Sequence, residues 1–116
     1  MKARRPLVDG QITAFADMLA AMGAALRLRI MRRLSSAHPA GMVVGDIGRE
    51  LDIAASTLSH HLDRLKSEDL MTVRREGTFL RHVANANALR DMLAFLYAER
   101  CTRNQAAKPE AITCGL

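Results

Sequence analysis

The chain has 116 residues, a mass of 12.8 kDa, 49% apolar residues, 25% charged residues and a mean hydropathy of −0.02. This composition is typical of one soluble globular domain, and it excludes a multidomain enzyme and a chain that is disordered throughout. Seventeen Lys and Arg against twelve Asp and Glu leave a net charge of +5, which favours an anionic partner such as nucleic acid. No apolar run reaches the roughly 18 residues of a membrane span and no secretory apolar block opens the chain, so we expect a cytoplasmic protein with no membrane partner.

The positive charge is spread unevenly along the chain. Residues 1–42 carry seven basic and two acidic side chains, residues 43–83 carry six and seven, and residues 84–116 carry four and three. A contact with nucleic acid in the middle third therefore depends on where its basic side chains lie, because that third has no excess of positive charge.

Helical spacing of apolar residues predicts five helices, over residues 11–22, 25–34, 44–51, 56–67 and 88–100. Between the last two helices, short strand-like runs flank Glu76-Gly77, which predicts a β-hairpin with its turn at that pair. We expect three segments: a basic N-terminal arm over residues 1–10, one domain over 11–100, and a flexible tail over 101–116 that carries the cysteines. The predicted fold class is mainly α with a small β-hairpin wing.

The third and fourth predicted helices, the tight turn between them and the hairpin together describe a winged helix-turn-helix. At 100° per residue, Leu58, Leu62 and Leu65 lie within about 60° of one another, so we expect this side of the fourth helix to be buried. Short hydrogen-bonding side chains let a helix backbone approach the major groove, and five polar or charged residues project on the opposite side. They are Ser56, Ser59, His60, Asp63 and Arg64. A merely solvated helix face would have the same character. His61 falls on the flank of the apolar side, where we expect a partly buried, structural role.

Basic side chains also gather on the predicted hairpin. Arg74, Arg75 and Arg81 lie on or beside the turn, with His82 next to them. Arginine on a wing can hold phosphates or enter a narrow minor groove. Charge on a hairpin also protects a sheet edge from pairing, so the cluster by itself does not decide between the two roles.

Four segments within residues 15–100 resemble the ArsR/SmtB family of bacterial repressors: LRLRIMRRL (26–34), GDIGREL (45–51), STLSHHLDRLKSEDLM (56–71) and VRREGTFLRHV (73–83). The resemblance implies a homodimer that is packed through its first and last helices, binds double-stranded operator DNA without an effector, and leaves it when an effector binds. It further implies base or phosphate contacts at Ser56, Thr57, Ser59 and His60, with the wing arginines on the DNA backbone.

The chain departs from that family at both of the family's characteristic sensor sites. The third helix lacks the Cys-x-Cys pair of the metalloid site. On the last helix Asp91 is followed by Met92 and Leu93, and no histidine occurs after His82, so the zinc site is also missing. Any thiol sensor would have to use Cys101 and Cys114, the two cysteines of the chain.

In one continuous helix Cys101 and Cys114 would lie about 20 Å apart along the axis, and Pro109 argues against such a helix. We therefore expect the tail to fold back or to reach the partner subunit, where Cys101 of one chain and Cys114 of the other could meet. Two thiolates without a nearby histidine or carboxylate suit a thiophilic trivalent metalloid, namely methylarsenite, antimonite or arsenite. A thiol-redox or persulfide switch, and no sensing at all, are the alternatives.

The sequence thus predicts a dimeric repressor that needs no cofactor to fold. We expect its dimer interface to use two apolar stripes, formed by Ile12, Phe15 and Leu19 on the first helix and by Leu89, Met92, Leu93 and Leu96 on the last. A winged helix that binds proteins instead of DNA is the alternative. An enzyme is not expected, because the sequence has no glycine-rich phosphate loop and no catalytic spacing of nucleophile and base.

Overall fold

The computed structural model describes the backbone of residues 6–104 and the side chains of residues 10–98. Five helices and three strands follow in chain order: α1 (Pro6–Met22), α2 (Ala25–Ser36), β1 (Met42–Val43), α3 (Val44–Leu51), α4 (Ala55–Ser67), β2 (Met71–Glu76), β3 (Phe79–Ala84) and α5 (Ala86–Asn104). This is the predicted fold class, and each predicted helix is present. None of the helices within the described part of the chain has the length and apolar character to span a membrane.

The two ends of the domain differ from the sequence prediction. Helix α1 begins at Pro6 instead of residue 11, because proline is well suited to the first turn of a helix. Part of the expected arm is therefore helical, and residues 1–5 lie outside the described residues. Helix α5 runs to Asn104, so the backbone of Cys101 belongs to that helix and not to a flexible tail. Cys114 lies outside the described residues.

The three strands form one antiparallel sheet in the order β1-β3-β2. Strand β1, which has only two residues, was not predicted because two residues show no alternation. The two-residue turn of the hairpin is Gly77-Thr78, one position later than predicted, since Glu76 already pairs with Phe79. Gly77 has a φ of 64°, the left-handed conformation that glycine adopts most readily in such a turn. We call β2, this turn and β3 the wing.

The core lies where α2, α3 and α4 meet the base of the wing. Its fully buried large side chains are Ile30, Leu34, Ile47, Leu58, Leu65, Leu70 and Met71. The predicted inner face of α4 is confirmed, because Leu62 is buried beside Leu58 and Leu65. Burial of each such side chain contributes roughly 1.5–3 kcal/mol to the stability of the fold. Because its leucines are buried in this core, the orientation of α4 is fixed.

The apolar stripe predicted on α1 is not its buried side. Met18 and Ala21 are buried, whereas Ile12 is 50% exposed and Leu19 is 43% exposed. From residue 87 onward, α5 forms a second compact unit. On that helix Leu93 is 37% exposed and Leu96 is 51% exposed. Both helices therefore present apolar side chains to solvent in the single chain.

Candidate nucleic-acid interface

A short turn sets the fourth helix against the third. Helix α3 ends at Leu51, and Asp52 after it has a left-handed φ of 56°. The Ile53 N–H donates to the Gly48 carbonyl oxygen at 3.0 Å. Helix α4 follows after Ala54, whose side chain offers no oxygen to cap the first N–H groups. The N-terminal end of α4 thus keeps backbone donors that no capping side chain accepts, a favourable place for an anion.

The outward side of α4 carries the predicted contact residues together on one exposed surface. We call Ser56, Thr57, Ser59 and His60 the reading face; all four are exposed. Within the described residues none of these side chains makes an intramolecular hydrogen bond or ion pair, and only the His60 ring approaches another ring, that of His61 at 5.9 Å. The reading face therefore has its hydrogen-bonding groups available to a partner.

His61, next to this face, ties α4 to the helices behind it. Its Nδ1 lies 3.3 Å from Nη1 of Arg27, and Nε of Arg27 donates to the carbonyl oxygen of Ala21. Burial lowers the pKa of His61, and its electrostatic interactions with the neighbouring Arg27 and His60 side chains lower it further. His61 is thus favoured as a neutral acceptor, in agreement with the partly buried structural role that its place beside the apolar stripe predicts.

Arg64 is less available than the sequence implied. It is half-buried, and its guanidinium pairs at 3.2 Å with the carboxylate of Glu68, the residue that follows the last turn of α4. A partly solvated pair at this spacing contributes only a few tenths of a kcal/mol to stability, about 0.3–0.5. The pair compensates the positive charge of Arg64 at the C-terminal end of the outward side of α4.

Two of the three wing arginines brace the wing by hydrogen bonds to the preceding loop. Arg74 and Arg81 lie directly opposite each other on β2 and β3. Arg74 donates to the carbonyl oxygens of Ala40 at 2.9 Å and of Pro39 at 3.4 Å. Arg81 donates to the Gly41 carbonyl oxygen at 3.3 Å. Both side chains thus hold the wing to the loop that precedes β1.

Arg81 also neutralises the acid beside the turn. Its Nε lies 2.7 Å from a carboxylate oxygen of Glu76, and this hydrogen bond holds the pKa of Glu76 below its ordinary value. Arg75 points to the other side of the sheet, because neighbours along a strand alternate between its faces. It is exposed, and within the described residues it has no acidic partner; it makes one 3.4 Å contact with the Gly77 carbonyl oxygen. The three arginines are therefore not equivalent.

His82, which the sequence places among these arginines, faces the protein. It is half-buried, its Nδ1 is enclosed without a hydrogen-bond partner in the described part of the chain, and burial lowers its pKa. His82 therefore belongs to the base of the wing and not to the exposed surface.

The sequence did not single out the apolar end of the wing. Phe79 is 61% exposed and Leu80 is 47% exposed, and both follow the Gly77-Thr78 turn directly. Alternation in the strand marked Phe79 as a residue of the hairpin, but no sequence signal shows that the hairpin extends beyond the helices that could cover it.

No group of three or more His, Cys, Asp or Glu side chains within the described residues is arranged to hold a metal ion. The expected effector site cannot be placed in the structure, because the side chain of Cys101 and all of Cys114 lie outside the described residues.

Comparison with known proteins agrees with this geometry. Residues 22–74 match the model of a helix-turn-helix domain family. A solved structure described as an ArsR-like transcriptional regulator from Rhodococcus sp. RHA1 has a TM-score of 0.68 and 21% identity, over 86% of this chain and 98% of that one. The chain has a winged helix-turn-helix fold. The fold that the four sequence segments implied is thus confirmed.

Two further proteins that are similar to this chain are described by their roles. The transcriptional repressor SdpR of Bacillus subtilis is 31% identical over 55 residues, which is 47% of this chain and 61% of the relative's own length. The homodimeric winged helix-turn-helix DNA-binding domain of Mb0332 from Mycobacterium bovis has a TM-score of 0.63 and 22% identity, over 87% of this chain and 89% of that one. These similar proteins are described as regulators and not as enzymes.

Proposed function

We propose that the chain is a DNA-binding transcriptional repressor that acts as a homodimer in the cytoplasm and binds a double-stranded operator. The observation that carries this proposal is the reading face of α4, an exposed set of short hydrogen-bonding side chains with no intramolecular partner. The described roles of SdpR and of the Mycobacterium bovis domain support it.

The reading face suits the major groove for a physical reason. Serine and threonine hydroxyls both donate and accept hydrogen bonds, and their small size lets the helix backbone come close to base edges and phosphates. His60 is the longest side chain of the reading face and reaches furthest, so it is the residue best placed for base discrimination. The uncapped N-terminus of α4 would favour a phosphate beside it.

The local charge balance also fits a DNA surface, although residues 43–83 have no net positive charge. Two acids of this segment are paired away from the reading face: Glu50 with Arg33 at 2.7 Å on α2, and Glu76 with Arg81 at 2.7 Å on the wing. Asp63 stays exposed on the outward side of α4. Among the wing arginines, Arg75 is the one that neither pairs with an acid nor braces the loop before β1. We therefore assign it the phosphate contact that the sequence distributed over Arg74, Arg75 and Arg81.

A matched pair of substitutions on α4 tests DNA binding. Ser59→Asp places a negative charge on the reading face, whereas Ser67→Asp places the same charge near the end of the helix. We expect Ser59→Asp to weaken binding to a duplex selected from a randomised pool by at least tenfold, and Ser67→Asp to bind within about threefold of the unmodified chain. The measurement is fluorescence anisotropy, with circular dichroism to show that both variants fold. Equal losses in the two variants would contradict the assignment of the reading face.

The dimer follows from the exposed apolar side chains of α1 and α5. Ile12 and Leu19 on one helix, and Leu93 and Leu96 on the other, stay exposed in the single chain although their spacing is that of a packed helix face. We assign each of these faces to contact with a second copy. Leu96→Glu should yield a monomer in light scattering at micromolar concentration, and a monomer already formed by the unmodified chain would refute the assignment.

The effector proposal rests on the sequence alone. Cys101 and Cys114 offer two thiolates, which suits methylarsenite or antimonite, or arsenite that keeps an oxygen ligand, better than zinc. Binding across the dimer would act on the end of α5, and about 1.4 kcal/mol of differential binding gives tenfold release from DNA. Methylarsenite should therefore release the unmodified chain but neither Cys101→Ser nor Cys114→Ser. Release by peroxide or polysulfide and not by metalloids would favour a thiol-redox or persulfide sensor instead.

A further inference from the structure

Helix α2 carries a row of arginines on the side that faces away from its buried residues. Ile30 and Leu34 lie in the core, whereas Arg29 and Arg32 are exposed and Arg33 is half-buried. Because Arg32 and Arg33 follow Arg29 by three and four residues, the charges are neighbours on the helix surface and repel one another. Helix α2 contains no acid to offset them. Any compensation must therefore come from outside the helix.

The same three arginines line an open cavity between α2 and the end of α3. Its volume is about 320 Å³, at the lower end of the range for small-molecule sites, roughly 300–1,000 Å³. Besides the arginines, its walls are Ser36 of α2 and Leu51 of α3. The cavity thus has the size of a small-molecule site, and its polar side chains are three guanidiniums and one hydroxyl.

One of the three guanidiniums is held in place by the protein. Nε of Arg33 donates to one carboxylate oxygen of Glu50 at 2.7 Å, and its Nη2 donates to the other at 3.4 Å. Nη1 of Arg33 donates to the Ser36 hydroxyl at 3.0 Å, and that hydroxyl donates to the Arg33 carbonyl oxygen at 2.8 Å. The hydrogen bond from Arg33 lowers the pKa of Glu50, so the carboxylate stays charged at neutral pH. Arg33 and Glu50 therefore neutralise each other at one side of the cavity.

The other two guanidiniums remain available to a ligand. Arg29 makes one contact, at 3.4 Å with the Leu51 carbonyl oxygen, and Arg32 makes no hydrogen bond or ion pair within the described residues. Among the residues that the structure describes, Glu50 is the one acid that pairs with any of the three arginines. Three guanidiniums against one carboxylate leave two positive charges uncompensated at the cavity.

Two uncompensated guanidiniums favour a doubly charged oxyanion. A guanidinium can donate two parallel hydrogen bonds to a phosphate. A phosphate monoester carries a charge of about −1.5 to −2 at neutral pH and has three acceptor oxygens, so it matches both the charge and the donors of Arg29 and Arg32. A carboxylate or a DNA phosphodiester supplies only one negative charge at that position. Leu51, which is half-buried, offers an apolar contact for the rest of the molecule.

We propose that this cavity binds a small molecule with a phosphate monoester, whose oxygens accept hydrogen bonds from Arg29 and Arg32 and whose apolar part contacts Leu51. The site does not depend on the proposed DNA binding. Leucines of α2 and α4 are buried in the same core, so the arginine row and the reading face point away from that core in different directions. A duplex that lies along the reading face is therefore not the expected occupant of the cavity.

Calorimetric titration of the unmodified full chain with phenyl phosphate, in the absence of DNA, tests this site. Phenyl phosphate joins a monoester to an apolar ring, and benzoate is the matched control because it has the same ring and one negative charge. We expect phenyl phosphate to bind at least about tenfold more tightly than benzoate. Arg29→Gln and Arg32→Gln should each weaken the binding of phenyl phosphate about tenfold or more, the value of one charge-assisted hydrogen bond. Arg75→Gln removes the same charge from the wing and should bind within about twofold of the unmodified chain, because salt screens a distant charge.

A fourth variant separates the charge of the cavity from damage to the fold. Glu50→Gln removes the carboxylate that competes for Arg33, so it should tighten the binding of phenyl phosphate about threefold or more. Circular dichroism shows that each variant is folded. Unchanged or weaker binding by Glu50→Gln would overturn the proposal.

Three other outcomes would also overturn it. One is no binding of phenyl phosphate to the unmodified chain at millimolar concentration. Another is an equal loss in Arg32→Gln and Arg75→Gln, which would show unspecific attraction to positive charge. Arg32→Gln should also leave the salt dependence of duplex binding unchanged. A loss of salt dependence equal to that of Arg75→Gln would assign the arginine row to DNA phosphates and not to a small molecule.

Discussion

Arg74→Ala should destabilise the wing while leaving most of the phosphate contact intact. Arg74 donates to two carbonyl oxygens of the loop before β1, at 2.9 Å and 3.4 Å. Only the shorter of these lies within the range of a good hydrogen bond, and both groups are partly solvated. We therefore expect the two hydrogen bonds of Arg74 together to contribute about 1 kcal/mol to the free energy of unfolding. For a domain of this size that loss lowers the melting temperature by about 4 °C.

Arg75→Ala is the matched control, since it removes the same side chain from the neighbouring residue without breaking a contact to the loop. It should leave the urea midpoint unchanged. Each phosphate contact that is lost reduces the magnitude of the slope of log K against log salt concentration by about 0.9. A dimer that loses one contact per subunit should therefore show about twice that reduction. Arg74→Ala should change this slope by less than half as much.

The assays are urea unfolding followed by circular dichroism, and anisotropy titrations of a selected duplex between 50 and 200 mM salt, the range over which phosphate contacts are most visible. An unchanged urea midpoint in Arg74→Ala, together with a loss of salt slope equal to that of Arg75→Ala, would refute the division of the wing arginines into a brace and a phosphate contact.

Three further predictions concern the fold that supports the interface. Leu65→Ala should lower the free energy of unfolding in urea by about 2–5 kcal/mol, because Leu65 is fully buried on the inner side of α4 and the smaller side chain leaves a cavity. A loss below 1 kcal/mol would show that the core is loosely packed. Gly41→Ala should also destabilise the chain, because Gly41 has a φ of 78° and an added Cβ would lie 2.7 Å from the carbonyl oxygen of His82. The control is Gly45→Ala in the open first turn of α3, which should be neutral or stabilising by about 0.5 kcal/mol. The free energy of unfolding should fall as the pH drops from 7.5 to 5.5. Burial lowers the pKa of both His61 and His82, so on acidification the unfolded chain binds protons at these residues more readily than the folded chain does. The stability contributed by the two neutral histidines is complete above the ordinary histidine pKa of about 6.5. A urea midpoint that rises on acidification would contradict that sign.

Periodicity predicted those features that depend on one element and its own buried side. The spacing of Leu58, Leu62 and Leu65 fixes which side of α4 is buried, and therefore which residues form the reading face. The same reasoning placed His61 at the edge of that buried side, where the structure shows it in contact with Arg27.

Other features depend on contacts that a local pattern does not contain. Arg74 and Arg75 are adjacent and chemically identical, and only the loop 34 and 35 residues earlier in the chain distinguishes them. On α1, helical spacing is compatible with either Met18 or Leu19 on the buried side. Packing within the single chain buries Met18 and leaves Leu19 exposed. The exposure of Phe79 likewise depends on how far the wing extends from the helices.

Selection from a randomised DNA pool, with the unmodified chain and with His60→Ala in parallel, tests the reading face most directly. The account predicts that the unmodified chain enriches an inverted repeat whose two half-sites match the symmetry of a dimer. His60→Ala should lose discrimination at one position of each half-site, by about 1–3 kcal/mol, and keep the preference elsewhere. An identical motif from both proteins, or no enriched motif from the unmodified chain, would contradict the claim that α4 reads DNA.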